Sequence, residues 1–278
     1  MTQCVMRRYV VALSFLFLFL AAHFSSPTSV AASEGTLVLV GGGEIDQIIV
    51  TRTLELSGGS QAIVAVLPQA AAEPDAGDSS VAMWKKAGAK DARTVDFGDR
   101  EAARRAIESA TLIWMPGGDQ NRFMKAIAGT GLDDLIRARH EAGVVVGGTS
   151  AGAAILSKVM LTGEGDVKRV TIGTTITAPG LGLWPEVIVD QHFLARQRTS
   201  RLVSAVLDHP TLVGIGIDES TALIVRGSIV AAIGSSAAIV IDARRAAIAR
   251  GPNGAVAGGV GLAFHVLRSG MTFDLARQ

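Results

Sequence analysis

Cysteine and tyrosine are almost missing from this chain of 278 residues, with Cys4 and Tyr9 the sole examples. Both fall in a segment that reads as an export signal. Arg7 and Arg8 precede the apolar run Val10 to Ala22, and the small residues Ser29, Val30, Ala31 and Ala32 follow. A charged start, an apolar stretch too short to span a bilayer comfortably and a small-residue cleavage zone predict export to the periplasm or cell exterior. Cleavage is expected near Ala31 or Ala32, leaving residues 33–278 as the mature chain. That chain lacks cysteine, which excludes disulfides and thiol chemistry. An excess of positive charge is also lacking. Removing Arg7 and Arg8 from 26 basic residues leaves 24 against 25 acidic, a formal charge of −1. This balance argues against nucleic acid, and against a membrane surface once the signal is removed. No internal repeat, charge run or proline-rich linker divides residues 33–278, so they are read as a single domain.

Apolar residues make up 49 % of the chain and aromatic residues 5 %, with 32 glycines. Such a composition suits buried parallel strands covered by small-residue helices. Leu37 to Val40, Ile63 to Leu67, Thr94-Val95, Leu112 to Met115 and Val144 to Val146 are short apolar runs. Amphipathic stretches such as Ile48 to Leu56 and Arg100 to Ile107 lie between them. The alternation predicts βαβ units and a parallel sheet with both faces covered. Ligands of such sheets bind beyond the carboxyl ends of the strands. Gly41-Gly42-Gly43, Pro116-Gly117-Gly118 and Gly148-Thr149-Ser150 all fall at such ends and are expected to converge. After Val170, short strands between Gly and Ser turns predict mixed or antiparallel pairing at one side of the sheet.

Gly148-Thr149-Ser150-Ala151-Gly152 sits between an apolar strand and a small-residue helical stretch. This is the layout of a nucleophile elbow, which lifts a serine hydroxyl above the sheet beside backbone N–H groups. The same pattern also arises by chance as a plain strand-to-helix turn, so Ser150 needs partners. Of the histidines beyond the signal, His140 lies in a polar helix, His209 precedes Pro210 in a turn, and His265 sits in an apolar run. His192 follows the strand ending in Asp190-Gln191 and is the best-placed general base. Asp218 and Glu219 end the strand Val213 to Ile217, and either can orient an imidazole. The order Ser150, His192, acid differs from that of α/β-hydrolases.

Arg196, Arg198 and Arg201 follow His192. The next helix is expected to begin near Thr199 or Ser200, with Leu202, Val203, Val206 and Leu207 buried. His192 and the first arginines would then lie in a loop over the site. Guanidinium groups beside a helix N-terminus favour a carboxylate ligand; a solvated basic turn is the alternative.

Five segments together resemble the cyanophycinases, of the serine peptidase family that also contains peptidase E. They are Gly41-Gly42-Gly43-Glu44, Pro116 to Gln120, Gly147 to Ala153, Val189 to Phe193 with the arginine run to Leu202, and Gly214 to Glu219. The resemblance spans roughly Gly35 to Ala243 and implies a class I glutamine amidotransferase-like α/β/α sandwich with a mostly parallel sheet. It implies Ser150 as nucleophile, His192 as base and Glu219 as orienting acid. Oxyanion donors fall on the Gly117-Gly118 loop and the N–H of Ala151. Gln120, Asp190, Gln191, Arg196, Arg198 and Arg201 match substrate positions. Peptidase E lacks the Asp-Gln-His-Phe and triple-arginine run, which favours the cyanophycinase side. The implied substrate is cyanophycin, a poly-aspartate backbone bearing arginine on each side chain, and the products are β-Asp-Arg dipeptides. A homodimer is also implied. No cofactor is expected, and with no cysteine to join His192 no zinc site is expected either. A serine dipeptidase for other Asp-containing or isoaspartyl peptides, and a non-catalytic binding module on the same fold, are the other readings.

Overall fold

Leu37–Val40 (β1) is buried on both faces, as expected of a central parallel strand. The computed structural model describes residues 35–73, 75–251 and 256–277. The export segment expected over residues 1–32 lies outside the described residues. After β1 the chain alternates through α1 (Gln47–Leu56), β2 (Ile63–Val66), α2 (Ala76–Lys86), β3 (Asp91–Thr94) and α3 (Arg100–Ser109). It continues through β4 (Leu112–Met115), α4 (Gln120–Ile127), α5 (Leu132–Glu141), β5 (Val145–Thr149) and the short α6 (Ala151–Ala154). The second half contains β6 (Val159–Leu161), β7 (Thr177–Pro179), β8 (Val187–Gln191), α7 (Thr199–Asp208) and β9 (Val213–Ile217). Strands β10 (Thr221–Arg226), β11 (Ile229–Gly234), β12 (Ala237–Asp242), β13 (Ala247–Arg250), β14 (Val256–Val260), β15 (Ala263–Arg268) and β16 (Thr272–Asp274) complete it.

The main sheet has eight strands in the order β16-β11-β10-β1-β5-β4-β2-β3. From β1 to β3 every pair is parallel, while β10, β11 and β16 add on antiparallel. One face is covered by α1 and α2, where Trp84 packs edge-on against Trp114. On the other face Ile107, Phe123 and Ile136 from the next helices share a core with Leu39, Val146 and Leu223. The result is an α/β/α sandwich with a large, mostly parallel sheet.

The late strands do more than extend this sheet. β15, β12, β9 and β8 form a separate four-stranded sheet, in that order. The position beside β1 is taken by β10, which turns back directly after β9, so β9 pairs elsewhere. Val189, Ile215 and Val240 of the second sheet face the common core. Its outer face, with Ile239 and Ile241, is covered by Leu202 and Val206 of α7. That helix starts at Thr199, where the sequence places it. Three carboxyl ends, those of β5, β8 and β9, thereby meet although they belong to two sheets.

Candidate active site

Ser150 follows β5 and caps α6 with φ +55° and ψ −118°, a conformation that non-glycine residues rarely adopt. The turn is tight because α6 lies on the end of β4. A Cβ on Gly152 would collide with the Met115 carbonyl oxygen. The turn presents the hydroxyl to the His192 imidazole, as an elbow requires.

Ser150 Oγ lies 2.8 Å from His192 Nε2, and His192 Nδ1 lies 2.6 Å from Glu219 Oε1. A carboxylate can only accept, so Nδ1–H donates to Glu219 and Nε2 accepts from the serine hydroxyl. His192 also has positive φ, +49°, at the end of β8. Its imidazole is held below its usual pKa of 6.5, first by burial and further by the Arg196 charge. The Glu219 hydrogen bond opposes this shift without cancelling it. A neutral imidazole is the form that can take a proton.

Asp218 points elsewhere. Its Oδ1 accepts the backbone N–H groups of Leu194 and Ala195, at 3.0 and 2.9 Å, and Oδ2 accepts the Ser236 hydroxyl at 2.6 Å. Burial opposes its ionisation, but the Ser236 hydroxyl and the backbone amides outweigh it and hold its pKa below the usual carboxylate range. Asp218 therefore fixes the turn that follows His192. The sequence offered no signal for Ser236 in this role.

Gly117 packs against Ser150, and Gly118 follows with φ +136°. Ala151 opens α6 directly behind the serine. Of the expected oxyanion donors, Gly117 and Ala151 thus adjoin Ser150, while Gly118 packs against the Ala70 carbonyl.

The six residues expected to touch substrate divide into two groups. Asp190 is fully buried and receives Arg201 Nε at 2.9 Å and a second Arg201 nitrogen at 2.5 Å. A further Arg201 nitrogen donates to the Gly163 carbonyl. Arg198 donates to the Gln191 carbonyl at 2.6 Å and to its side-chain oxygen at 3.0 Å. The Gln120 amide donates to the Leu161 carbonyl, and neighbouring Asn121, which sequence reasoning passed over, donates to that of Thr162. Arg198 thus sits in the expected loop after His192 but points its side chain inward, as Arg201 does from the first turn of α7. They turn inward because a buried carboxylate requires counter-charge. Arg196 alone of the three arginines is exposed. Around His192 the three guanidinium groups stand against three carboxylates, Asp190, Asp218 and Glu219, and Arg196 is the exposed cation.

A cavity of about 720 Å³ lies at the opposite ends of the strands, lined by Leu37, Trp184, Val187, Val213 and Val225, and contains none of these groups. Among the described residues, no group of three or more His, Cys, Asp or Glu side chains is arranged to hold a metal ion.

The pattern of Peptidase family S51 matches residues 37–233. A cyanophycinase from Geminocystis herdmanii (strain PCC 6308) is 39 % identical over 243 residues, covering 83 % of this chain and 89 % of that protein. A cyanophycinase from Trichormus variabilis (strain ATCC 29413 / PCC 7937) is 35 % identical over 219 residues, 74 % of each chain. Among solved structures, a peptidase from an acI-B1 Actinobacterium superposes with a TM-score of 0.62 at 22 % identity. That match covers 88 % of this chain and 98 % of the other, and it speaks to the fold.

Proposed function

Because this chain belongs to Peptidase family S51 and is a serine-type peptidase, we propose that it hydrolyses cyanophycin to β-Asp-Arg dipeptides through Ser150, His192 and Glu219. The observation that carries this reading is the unbroken run of hydrogen bonds from the Ser150 hydroxyl through His192 to Glu219. Ser150 Oγ attacks the scissile carbonyl carbon while His192 Nε2 takes its proton. Glu219 stabilises the imidazolium that forms. Backbone N–H groups around Gly117, Gly118 and Ala151 receive the developing oxyanion. His192 then passes the proton to the leaving amine, and an acyl-enzyme remains. Water attacks this ester, gives its proton to His192, and the serine is regenerated.

Arg196 is the exposed cation that would meet a substrate carboxylate, with Arg198 and Gln191 shaping the wall behind it. The reading includes action after export and assembly as a homodimer. Incubating the purified protein with cyanophycin and with short β-linked and isoaspartyl peptides, followed by mass analysis of products, tests it. Release of β-Asp-Arg from cyanophycin is the expected result. Turnover of the isoaspartyl peptides alone would favour a dipeptidase, and no turnover by the intact protein would leave a binding module.

A further inference from the structure

The end of β1 and the loop after it touch every segment of the triad. The Val40 carbonyl accepts the Ser150 backbone N–H at 2.9 Å, the Gly41 carbonyl accepts that of His192 at 2.7 Å, and the Gly42 carbonyl accepts that of Ser220 at 3.0 Å. Ser220 directly follows Glu219. Three consecutive carbonyls thus hold the backbone at the nucleophile, at the base and beside the acid. Gly41 N–H donates back to the Thr221 carbonyl at 3.0 Å, and the Ser220 hydroxyl donates to the Glu44 carbonyl at 2.9 Å, so the turn around Glu219 is held from both sides.

The side-chain ends of the triad rest on the same loop. At Gly42, with φ +112°, a Cβ would lie 2.8 Å from His192 Nδ1 and closer still to Cε1 and Nε2. At Gly43 a Cβ would lie 2.9 Å from Glu219 Cβ and 3.1 Å from its Oε2. The imidazole therefore packs on the bare backbone of Gly42, which fixes its height above the sheet.

We propose that Gly42 is a positioning residue for His192, and that the Val40–Gly42 strap sets the three catalytic segments in register across the two sheets. The proposal rests on the triad reading above and deepens it. The strap makes the Ser150–His192 distance independent of how the two sheets pack elsewhere, because both backbones hang from adjacent carbonyls. A displacement on the order of 1 Å of a catalytic group lowers rate about 10²-fold.

Gly42→Ala in the purified protein tests this, with Gly88→Ala as its control. Gly88 has a similar φ, +101°, and open space where its Cβ would go, so it carries the backbone strain without the imidazole contact. The expected result for Gly42→Ala is about a 10²-fold loss of kcat with KM nearly unchanged. Labelling of Ser150 by a fluorophosphonate should slow in parallel, and the low-field Nδ1–H proton resonance of His192 should shift or vanish. Gly88→Ala should keep all three signals. A Gly42→Ala protein with normal kcat, labelling and resonance would overturn the proposal. If that variant folds poorly, the fall in Tm caused by Gly42→Ala is measured in the wild type and again in His192→Ala. A smaller fall without the imidazole supports the proposal, and an equal fall overturns it. Failure of the triad reading shows itself separately, as undiminished turnover in Ser150→Ala.

Discussion

Arg201 grips Asp190 with two nitrogens, at 2.9 and 2.5 Å, and both side chains are buried. This pair ties β8, two residues before His192, to the first turn of α7 and, through the Gly163 carbonyl, to the segment after β6. Removing one partner of a buried ion pair strands the other, which costs about 3–5 kcal/mol. Arg201→Ala is therefore expected to lower Tm on the order of 10 °C in thermal denaturation. Arg201→Lys should recover part of the loss, since it restores charge without the planar fork. An unchanged Tm in Arg201→Ala would show that Asp190 does not depend on this guanidinium.

Arg196 should behave oppositely. It is exposed, and its charge is one cause of the depressed His192 pKa. Arg196→Ala is expected to leave Tm nearly unchanged. It should raise KM for substrates with a free carboxylate more than for amidated ones, and move the acid limb of kcat/KM to higher pH. Equal KM values for the two substrate types would remove Arg196 from substrate binding.

Ser150→Ala is expected to cost several powers of ten in kcat with the fold intact, because the elbow is built of small residues. Circular dichroism with product release under single-turnover conditions checks both parts. Residual turnover near the wild-type rate would eliminate the serine mechanism.

The two adjacent acids should separate cleanly. Glu219→Gln keeps the shape of the contact with His192 Nδ1 but removes the charge that stabilises the imidazolium, so kcat should fall roughly 10⁴-fold with little change in KM. Asp218→Asn retains an oxygen for the Leu194 and Ala195 amides and should be milder, while Asp218→Ala should lose stability through the freed turn. If Asp218→Asn proved the more damaging to kcat, the acid would have to be reassigned.

The pH dependence follows from two depressed pKa values of different kinds. In the proposed triad His192 must be neutral to act, and its folded pKa lies below 6.5, so kcat/KM should hold at pH 6.5 and fall only at lower pH. Its effect on stability has the same sign. Below pH 6.5 the unfolded chain takes up a proton that the folded imidazole resists, so stability declines from there down to the folded pKa. Asp218 contributes stability that is present above its unfolded value of 3.8 and lost as pH falls through its lower folded pKa. Activity profiles and denaturant titrations at matched pH values test the pair. An acid limb above pH 6.5 would contradict the buried imidazole.

Much of this was written in local sequence. The alternation of apolar runs with amphipathic stretches dictates the strands, because backbone and side chain settle it together over a few residues; β1 and β4 are buried on both faces, and the edge strand β3 is largely exposed. The elbow at Ser150 is equally local, since strand, small turn and helix must adjoin in the chain. The start of α7 at Thr199 is legible because buried residues recur at helical spacing from Leu202 onward. Distant chain segments decided the rest. Asp218 and Glu219 are neighbours that point to different partners, and nothing in their own chemistry says which one faces His192; the packing of β9 against β8 does. The arginine run reads as one basic cluster, yet Arg198 and Arg201 turn inward because β8 buries Asp190 beneath them. The second sheet was likewise invisible, because strand pairing is settled by which edge is already occupied, and that is a property of the whole fold.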